Sequence, residues 1–168
     1  PTISEYEYEE ILSKTIEYTK KKVSIYTGLG GNNTIEVANK LKKLEKYDID
    51  GILSVAPYYS RPNQKGLYEH FRCISESTDM NIIIYNIPYR TGTNIQNETL
   101  LELSQINNIV GVKDCSGDMK QTTDLLINRP ENFSILTGED AYFYTTLALG
   151  GDGGILASAS VKTKEFVE

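Results

Sequence analysis

The sequence contains no tryptophan, one histidine and only two cysteines among its 168 residues. The two cysteines, Cys73 and Cys115, are too few for a disulfide framework, and beside a single histidine they match no zinc-ligand spacing. We therefore expect free thiols in a reducing cytoplasm, and neither a metal nor another cofactor. No run reaches the ~20 consecutive apolar residues that a membrane span requires. The formal net charge of −6 disfavours a nucleic-acid partner, because phosphate binding depends on clustered Lys and Arg.

What the sequence does contain is a series of short apolar runs rich in β-branched residues. They start about every 20 to 30 residues, which is the period of a β/α unit. The six runs are VSIYTG from Val23, GILSVAP from Gly51, NIIIYNIP from Asn81, IVGVKD from Ile109, FSILTG from Phe133 and GGILAS from Gly153. Each run is nearly continuous rather than alternating, which is typical of parallel strands buried on both faces.

Helical patterns with a 3.6-residue period separate these runs. In the first helix, Ser4 and Glu7 have the spacing of a capping box. The apolar face of this helix is predicted to consist of Tyr8, Ile11, Leu12, Thr15 and Thr19.

The alternation of strands and helices predicts an α/β fold with a parallel sheet, either as a barrel or as a doubly wound sheet. TGLGG, from Thr27, lacks the third glycine of a dinucleotide-binding turn, so the barrel is favoured. We predict a partial TIM (β/α)8 barrel, in one incomplete domain over residues 1–168. The chain begins at Pro1 without a methionine and ends early in a helical pattern, so we expect a piece of a longer barrel.

Catalytic groups of such barrels lie at the C-terminal ends of the strands and in the loops that follow. Lys113 is unusual there, because it closes a strand that is otherwise almost entirely apolar. Burial disfavours the charged ammonium and is expected to lower the pKa of this lysine. A neutral amine can attack a ketone and form a Schiff base. The alternative is an ion pair with Asp114 or Glu139 at the barrel rim, and the pattern alone does not decide between the two.

Three strings carry a family resemblance: PYYSRPNQKGLYEHF from Pro57, YNIPYRTG from Tyr85 and GVKDCSGD from Gly111. They resemble the dihydrodipicolinate synthase and N-acetylneuraminate lyase family of class I aldolases, and the first string resembles the synthase branch. The resemblance implies that strands 3 to 8 of the barrel are present, and that the first two strands and most of the last helix are missing. It also implies that Lys113 forms an imine with pyruvate and that Tyr85 relays protons. Tyr59 would reach into the site of a neighbouring subunit, in a homo-oligomer that is a dimer of dimers in relatives.

The synthase branch condenses pyruvate with L-aspartate 4-semialdehyde, the first committed step of the diaminopimelate route to lysine. Arg90 matches the arginine that binds the carboxylate of the semialdehyde in this branch, a role that suits a planar guanidinium. Gly138 and Ile155 match positions that line the pyruvate end of the pocket. The structural alternatives are an exposed loop arginine, a tight turn and a core strand residue.

The sequence also departs from the family pattern. A threonine pair that binds the pyruvate carboxylate would lie just before Pro1, so we expect the isolated 168 residues to be inactive. Asn32, Glu36 and Tyr58 match positions of an allosteric lysine pocket. Glu5 and Tyr8 stand where lysine-inhibited relatives have histidines, so we expect no inhibition by lysine.

Three other functions are compatible with parts of the sequence. A metal-dependent aldolase would need ligands such as Asp114, Glu139 and Asp140, and His70 fits better as a helix-face residue. An N-acetylneuraminate or sugar-acid aldolase would share the imine, but Arg90 argues against it. A catalytically inactive truncated copy is the third, and the intact set of candidate residues argues against it.

Overall fold

The computed structural model describes residues 2–167, so Pro1 and Glu168, the end residues of the predicted domain, lie outside the described part. The helices are α1 (Glu5–Thr19), α2 (Thr34–Leu44), α3 (Gln64–Ser75), α4 (Pro88–Thr91), α5 (Asn97–Leu103), α6 (Met119–Asn128), α7 (Phe143–Ala148) and α8 (Thr163–Val167). The strands are β1 (Tyr26–Gly28), β2 (Gly51–Val55), β3 (Asn81–Asn86), β4 (Ile109–Asp114), β5 (Ser134–Thr137) and β6 (Gly153–Gly154). Two short 3-10 turns cover Asp140–Tyr142 and Ser158–Ser160.

All six strands are parallel, and their order in the sheet is their order in the chain. A doubly wound sheet would reverse its strand order at a switch point, and this sheet has no reversal. Sequential parallel strands with a helix in each connection are the arrangement of a TIM barrel. The predicted fold class, a partial TIM barrel, is confirmed.

The two faces of the sheet differ in burial. The helices cover the outer face. The core between this face and the helices contains fully buried side chains, among them Leu41, Leu67, Phe71, Ile82, Ile84 and Ile135. Removing each such side chain from water contributes roughly 1.5–3 kcal/mol to folding. The inner face is only half-buried at Val55, Tyr85, Lys113 and Leu136, which are register partners across β2 to β5. The half-buried face is therefore the one that a closed barrel turns inward.

Helix α1 begins with the predicted capping box. The Ser4 hydroxyl accepts a hydrogen bond from the Glu7 N–H at 3.2 Å, and the Glu7 carboxylate accepts one from the Ser4 N–H at 2.7 Å. The predicted apolar face is wrong in part, because Ile11 is 55% exposed and Thr15 is exposed. Leu12 is buried, and the helix packs along a narrower stripe that continues through Ile16.

The strands at the two edges of the sheet are shorter than their apolar runs. Val23 opens the first run but is 62% exposed, and β1 begins only at Tyr26. In the last run only Gly153 and Gly154 pair as β6. Each of these strands has a single neighbour among residues 2–167, so hydrogen bonds extend it on one side only.

Candidate active site

Tyr85 and Lys113 lie side by side at the C-terminal ends of β3 and β4. They are register partners in the parallel pair, so their side chains leave the same face of the sheet. The Lys113 Nζ atom lies over the Tyr85 ring, 4.3 Å from the ring centroid. Both side chains are half-buried. The structure thus brings the predicted lysine and tyrosine together, and the neutral amine that an imine requires stays a prediction.

Cys115 is a neighbour of this pair that the sequence analysis did not include in the site. Its thiol is buried, and burial raises the pKa of the thiol to about 11, although the Lys113 cation acts in the opposite direction. Burial also raises the pKa of the Tyr85 phenol, with a further contribution from Cys115. Both groups therefore hold their protons at neutral pH. Strand alternation could have identified Cys115, because it lies two residues after Lys113 on the same face.

Gly138 follows β5 and lies directly against the lysine. A Cβ atom at this position would collide with Lys113 Cε and Cys115 Sγ. The Gly138 N–H donates to the Asp114 carbonyl oxygen at 2.8 Å, which holds the backbone close to β4. Ile155 follows β6, where its N–H donates to the Thr137 carbonyl oxygen at 2.9 Å and its side chain is 37% exposed.

The ion pair of Lys113 with Asp114 or Glu139, which the sequence left open as an alternative, is not formed in the structure. No carboxylate among residues 2–167 lies within 4.0 Å of the Lys113 amine. Asp114 points to the opposite face, as the strand alternation requires. There its carboxylate accepts hydrogen bonds from the Ser116 N–H at 2.9 Å, the Ser116 hydroxyl at 3.1 Å and the Thr122 hydroxyl at 2.6 Å. The lysine therefore has an aromatic neighbour rather than an anionic one.

Arg90 lies in α4, at an open cleft that is also lined by Tyr58, Tyr59, Arg61 and Tyr89. Its guanidinium carbon is 5.4 Å from the centroid of the Tyr89 ring, and the side chain is exposed. It makes no ion pair with any of residues 2–167. A bidentate contact with a carboxylate from solution is therefore open to it.

Tyr59 is 90% exposed and has a positive φ of 70°. A bulky residue in this left-handed region is uncommon and costs free energy. Almost none of its surface is buried by its own chain.

Two of the three candidate allosteric residues lie close together in the chain, and the third lines the Arg90 cleft. Asn32 and Glu36 are exposed near the start of α2, where the Asn33 amide donates to the Glu36 carboxylate at 3.2 Å. Tyr58 lines the Arg90 cleft, and neither Asn32 nor Glu36 is among the residues that line it. The two positions that stand in for histidines have partners within the chain: Glu5 pairs with Lys43 at 2.5 Å, and the Tyr8 hydroxyl lies 2.7 Å from Thr27 Oγ1.

The described residues contain no group of three or more His, Cys, Asp or Glu side chains that could hold a metal ion. His70, predicted as a helix-face residue, lies in α3 facing the core and is 3% exposed. Its Nδ1 atom is 2.8 Å from the Thr34 hydroxyl of α2. Between residues 2 and 167, no helix is both long enough and apolar enough to cross a membrane.

Comparison with known proteins agrees with this geometry. The model of the dihydrodipicolinate synthetase family matches residues 1–168. The chain belongs to this family. A 4-hydroxy-tetrahydrodipicolinate synthase 2 of Clostridium acetobutylicum is 62% identical over 168 residues, and a 4-hydroxy-tetrahydrodipicolinate synthase of Syntrophus aciditrophicus is 42% identical over 160 residues.

The crystal structure of a dihydrodipicolinate synthase from Thermotoga maritima matches with a TM-score of 0.95 and 34% sequence identity, over 99% of this chain. It extends well beyond the matched part, since the match covers 58% of its own chain. The two curated relatives are covered over 59% and 55% of their lengths. Membership of the family supports an enzyme of the lyase class, and the activity of the whole protein is a proposal.

Proposed function

We propose that this chain carries the Schiff-base site of a 4-hydroxy-tetrahydrodipicolinate synthase, which condenses pyruvate with L-aspartate 4-semialdehyde. The observation that carries the proposal is the position of the Lys113 amine, 4.3 Å from the centroid of the Tyr85 ring and without a carboxylate partner among residues 2–167. An amine that is free of an ion pair and half-buried can reach a keto acid on the inner face of the barrel.

In the proposed reaction the Lys113 amine attacks the keto carbon of pyruvate, and water leaves to give a protonated imine. The imine withdraws electrons, so the adjacent methyl group loses a proton and becomes a carbon nucleophile. This carbon attacks the aldehyde carbon of the semialdehyde, the new alkoxide takes up a proton, and the imine to Lys113 is restored. The amino group of the former semialdehyde then attacks the imine carbon and closes a ring, and Lys113 leaves as the free amine. Tyr85 is suited to relay these protons, because the raised pKa of its phenol keeps it protonated at neutral pH.

The remaining candidates surround this reaction. Arg90 binds the carboxylate of the semialdehyde, and its unpaired, exposed guanidinium supports that role. Gly138 and Ile155 line the pyruvate end. Tyr59 completes the site of a neighbouring subunit, which is consistent with the 90% exposure of its side chain in its own chain. Lysine does not inhibit the enzyme through Asn32, Glu36 and Tyr58.

Trapping of the imine tests the proposal directly. The full-length protein, rather than the isolated 168 residues, is incubated with pyruvate, reduced with borohydride and digested, and the mass of each lysine peptide is measured. We expect the adduct on Lys113 alone. Lys113→Arg keeps the positive charge but cannot form an imine, so it should abolish the adduct. Lys120→Arg, at an exposed lysine of α6, is the matched control and should leave the adduct unchanged.

An adduct on any other lysine would contradict the proposed mechanism. The second substrate is then identified by the aldehyde that the protein consumes together with pyruvate. Consumption of a sugar aldehyde in place of aspartate semialdehyde would favour the N-acetylneuraminate or sugar-acid aldolase alternative.

A further inference from the structure

Each of the two central residues of the candidate site is followed by a buried polar residue. Asn86 follows Tyr85 and is 0% exposed, and Asp114 follows Lys113 and is 5% exposed. Because neighbouring side chains of a strand point to opposite faces, Asn86 and Asp114 lie in the layer between sheet and helices. They are register partners, and Asn86 Nδ2 is 3.5 Å from Asp114 Oδ1. A polar contact behind the sheet thus joins the two strands that carry Tyr85 and Lys113.

Asn86 also closes the base of the segment that carries Arg90. We call residues 87–95 the Arg90 loop. The Asn86 Oδ1 atom accepts a hydrogen bond from the Ile95 N–H at 3.1 Å, and its Nδ2 atom donates to Asn94 Oδ1 at 2.8 Å. Residue 86 is covalently bonded to the first residue of the loop, so one buried amide holds both ends of it.

Two neighbouring helices also form hydrogen bonds with the C-terminal end of the Arg90 loop. Gln64 of α3 donates to the Asn94 carbonyl oxygen at 2.8 Å, and Gln121 of α6 donates to the Ile95 carbonyl oxygen at 2.9 Å. The Asn94 amide donates in turn to Gln121 Oε1 at 2.7 Å. The ends of the loop are therefore held by several hydrogen bonds, whereas Tyr89 and Arg90, between those ends, are exposed.

We infer that Asn86 is a positioning residue, which fixes Arg90 relative to Lys113 for recognition of the second substrate. The inference rests on the proposed function. Asn86 lies on the opposite face of the sheet from the amine and touches no reacting atom. Its loss should therefore displace Arg90 and disturb the aldehyde step, while the first step, imine formation with pyruvate, continues. A displacement of about 1 Å can cost ~100-fold in rate when a substrate-positioning group moves.

In the full-length protein, the test measures imine formation and the aldehyde step separately in Asn86→Ala and compares them with Arg90→Ala. In both variants we expect the KM for aspartate semialdehyde to rise about tenfold or more, while the rate of borohydride trapping on Lys113 stays within about twofold. Asn108→Ala is the matched control. The Asn108 amide donates to the Ser75 and Thr78 carbonyl oxygens at 3.1 and 2.8 Å, at the opposite end of β4. It should lower stability without changing this KM.

Two results would overturn the inference: Asn86→Ala lowering trapping and the aldehyde step together, or a KM no different from that of Asn108→Ala. If Asn86→Ala does not fold, Asn94→Ala decides by the same two measurements, because it removes the partner of the Asn86 amide and leaves Asn86 in place. Absence of an adduct on Lys113 in the unchanged protein would instead refute the proposed function. An adduct that forms normally, with an unchanged KM in the variants, refutes only the role of Asn86.

Discussion

Gly138 sets the path of the Lys113 side chain by having no side chain of its own. The space that a Cβ atom would fill is occupied by Lys113 Cε and Cys115 Sγ. The lysine is thus confined between the backbone of residue 138 on one side and the Tyr85 ring on the other. The position of the Lys113 amine is therefore set by packing rather than by an ion pair.

Gly138→Ala should displace the Lys113 amine. Overpacking of this kind costs about 1–3 kcal/mol in the free energy of unfolding, and we expect imine trapping to fall at least tenfold, because the amine leaves the position from which it reaches pyruvate. Gly28→Ala is the matched control, since a Cβ atom there meets nothing within 4 Å. Trapping rates and urea denaturation measure the two effects. A Gly138→Ala protein that traps pyruvate at the unchanged rate would show that Gly138 does not set the path of Lys113.

At the scale of elements, α2 and α3 meet at a partly buried hydrogen bond between Thr34 and His70. The His70 Nε2 atom has no partner among the described residues, and the ring packs edge-on against Phe71 at 5.1 Å between centroids. Burial lowers the pKa of His70 from 6.5 to about 4. The folded protein therefore holds this imidazole neutral, and protonation opposes the packing of α2 against α3.

This gives a pH dependence of stability with a definite sign. The folded-state pKa of His70 lies below that of the unfolded chain, so its contribution is fully present above pH 6.5 and is lost as the pH falls towards 4. The loss is on the order of 3 kcal/mol. Urea denaturation of the unchanged protein and of His70→Gln, from pH 8 to pH 4, should show a shallower decline for the variant. Parallel curves would mean that His70 does not titrate as described.

The element pattern was largely predictable from sequence, because buried parallel strands and amphipathic helices leave strong periodic signals. The ends of β1 and β6 could not be predicted in this way. The length of a strand at the edge of a sheet depends on how far its neighbour pairs with it, and an apolar run in the sequence does not encode that pairing. The face of α1 that includes Leu12 was predicted too broadly, because Ile11 and Leu12 are about 100° apart on the helix and only one of them can face the sheet.

The candidate site was predictable to the extent that its residues end buried strands. Lys113 was found in this way, whereas Tyr85 and Gly138 were assigned through the family resemblance, and the structure brings the three together. The polar residues behind them were not assigned correctly. Asp114 was considered as an ion-pair partner of Lys113, yet strand alternation turns it away to Ser116 and Thr122. Asn86 and Ile95 form a hydrogen bond only because the loop between them folds back. The periodic pattern of apolar residues in the sequence does not predict such a contact.

At the scale of the whole molecule, the proposed contact of Tyr59 with a neighbouring subunit can be weighed against its conformation in its own chain. Its backbone lies at a φ of 70°, its side chain is 90% exposed, and a conformation of this kind costs about 1 kcal/mol or more for a residue that is not glycine. Its own chain offers little packing to offset that cost. The proposed contact with a neighbouring subunit would supply it.

Tyr59→Gly should separate the free-energy cost of the left-handed backbone from the proposed contact with a neighbouring subunit. Glycine adopts the left-handed conformation without strain, so the unfolding free energy of the dissociated chain should not fall. We expect self-association, measured by analytical ultracentrifugation, to weaken and condensation activity to fall together. Tyr18→Ala, at another exposed tyrosine (81%), should leave association unchanged. Unaltered association and activity in Tyr59→Gly would place its role within a single subunit.

The back-to-back arrangement of Tyr85 with Asn86, and of Lys113 with Asp114, has a consequence for how such a protein can diversify. The reacting groups and the residues behind them alternate along the same two strands, so the orientation of all four side chains depends on the register of β3 and β4. Insertion or deletion of one residue within β3 or β4 would turn the amide or carboxylate inward and send the phenol or amine behind the sheet. Substitutions at Tyr89 and Arg90, which are exposed in the Arg90 loop, leave this register unchanged.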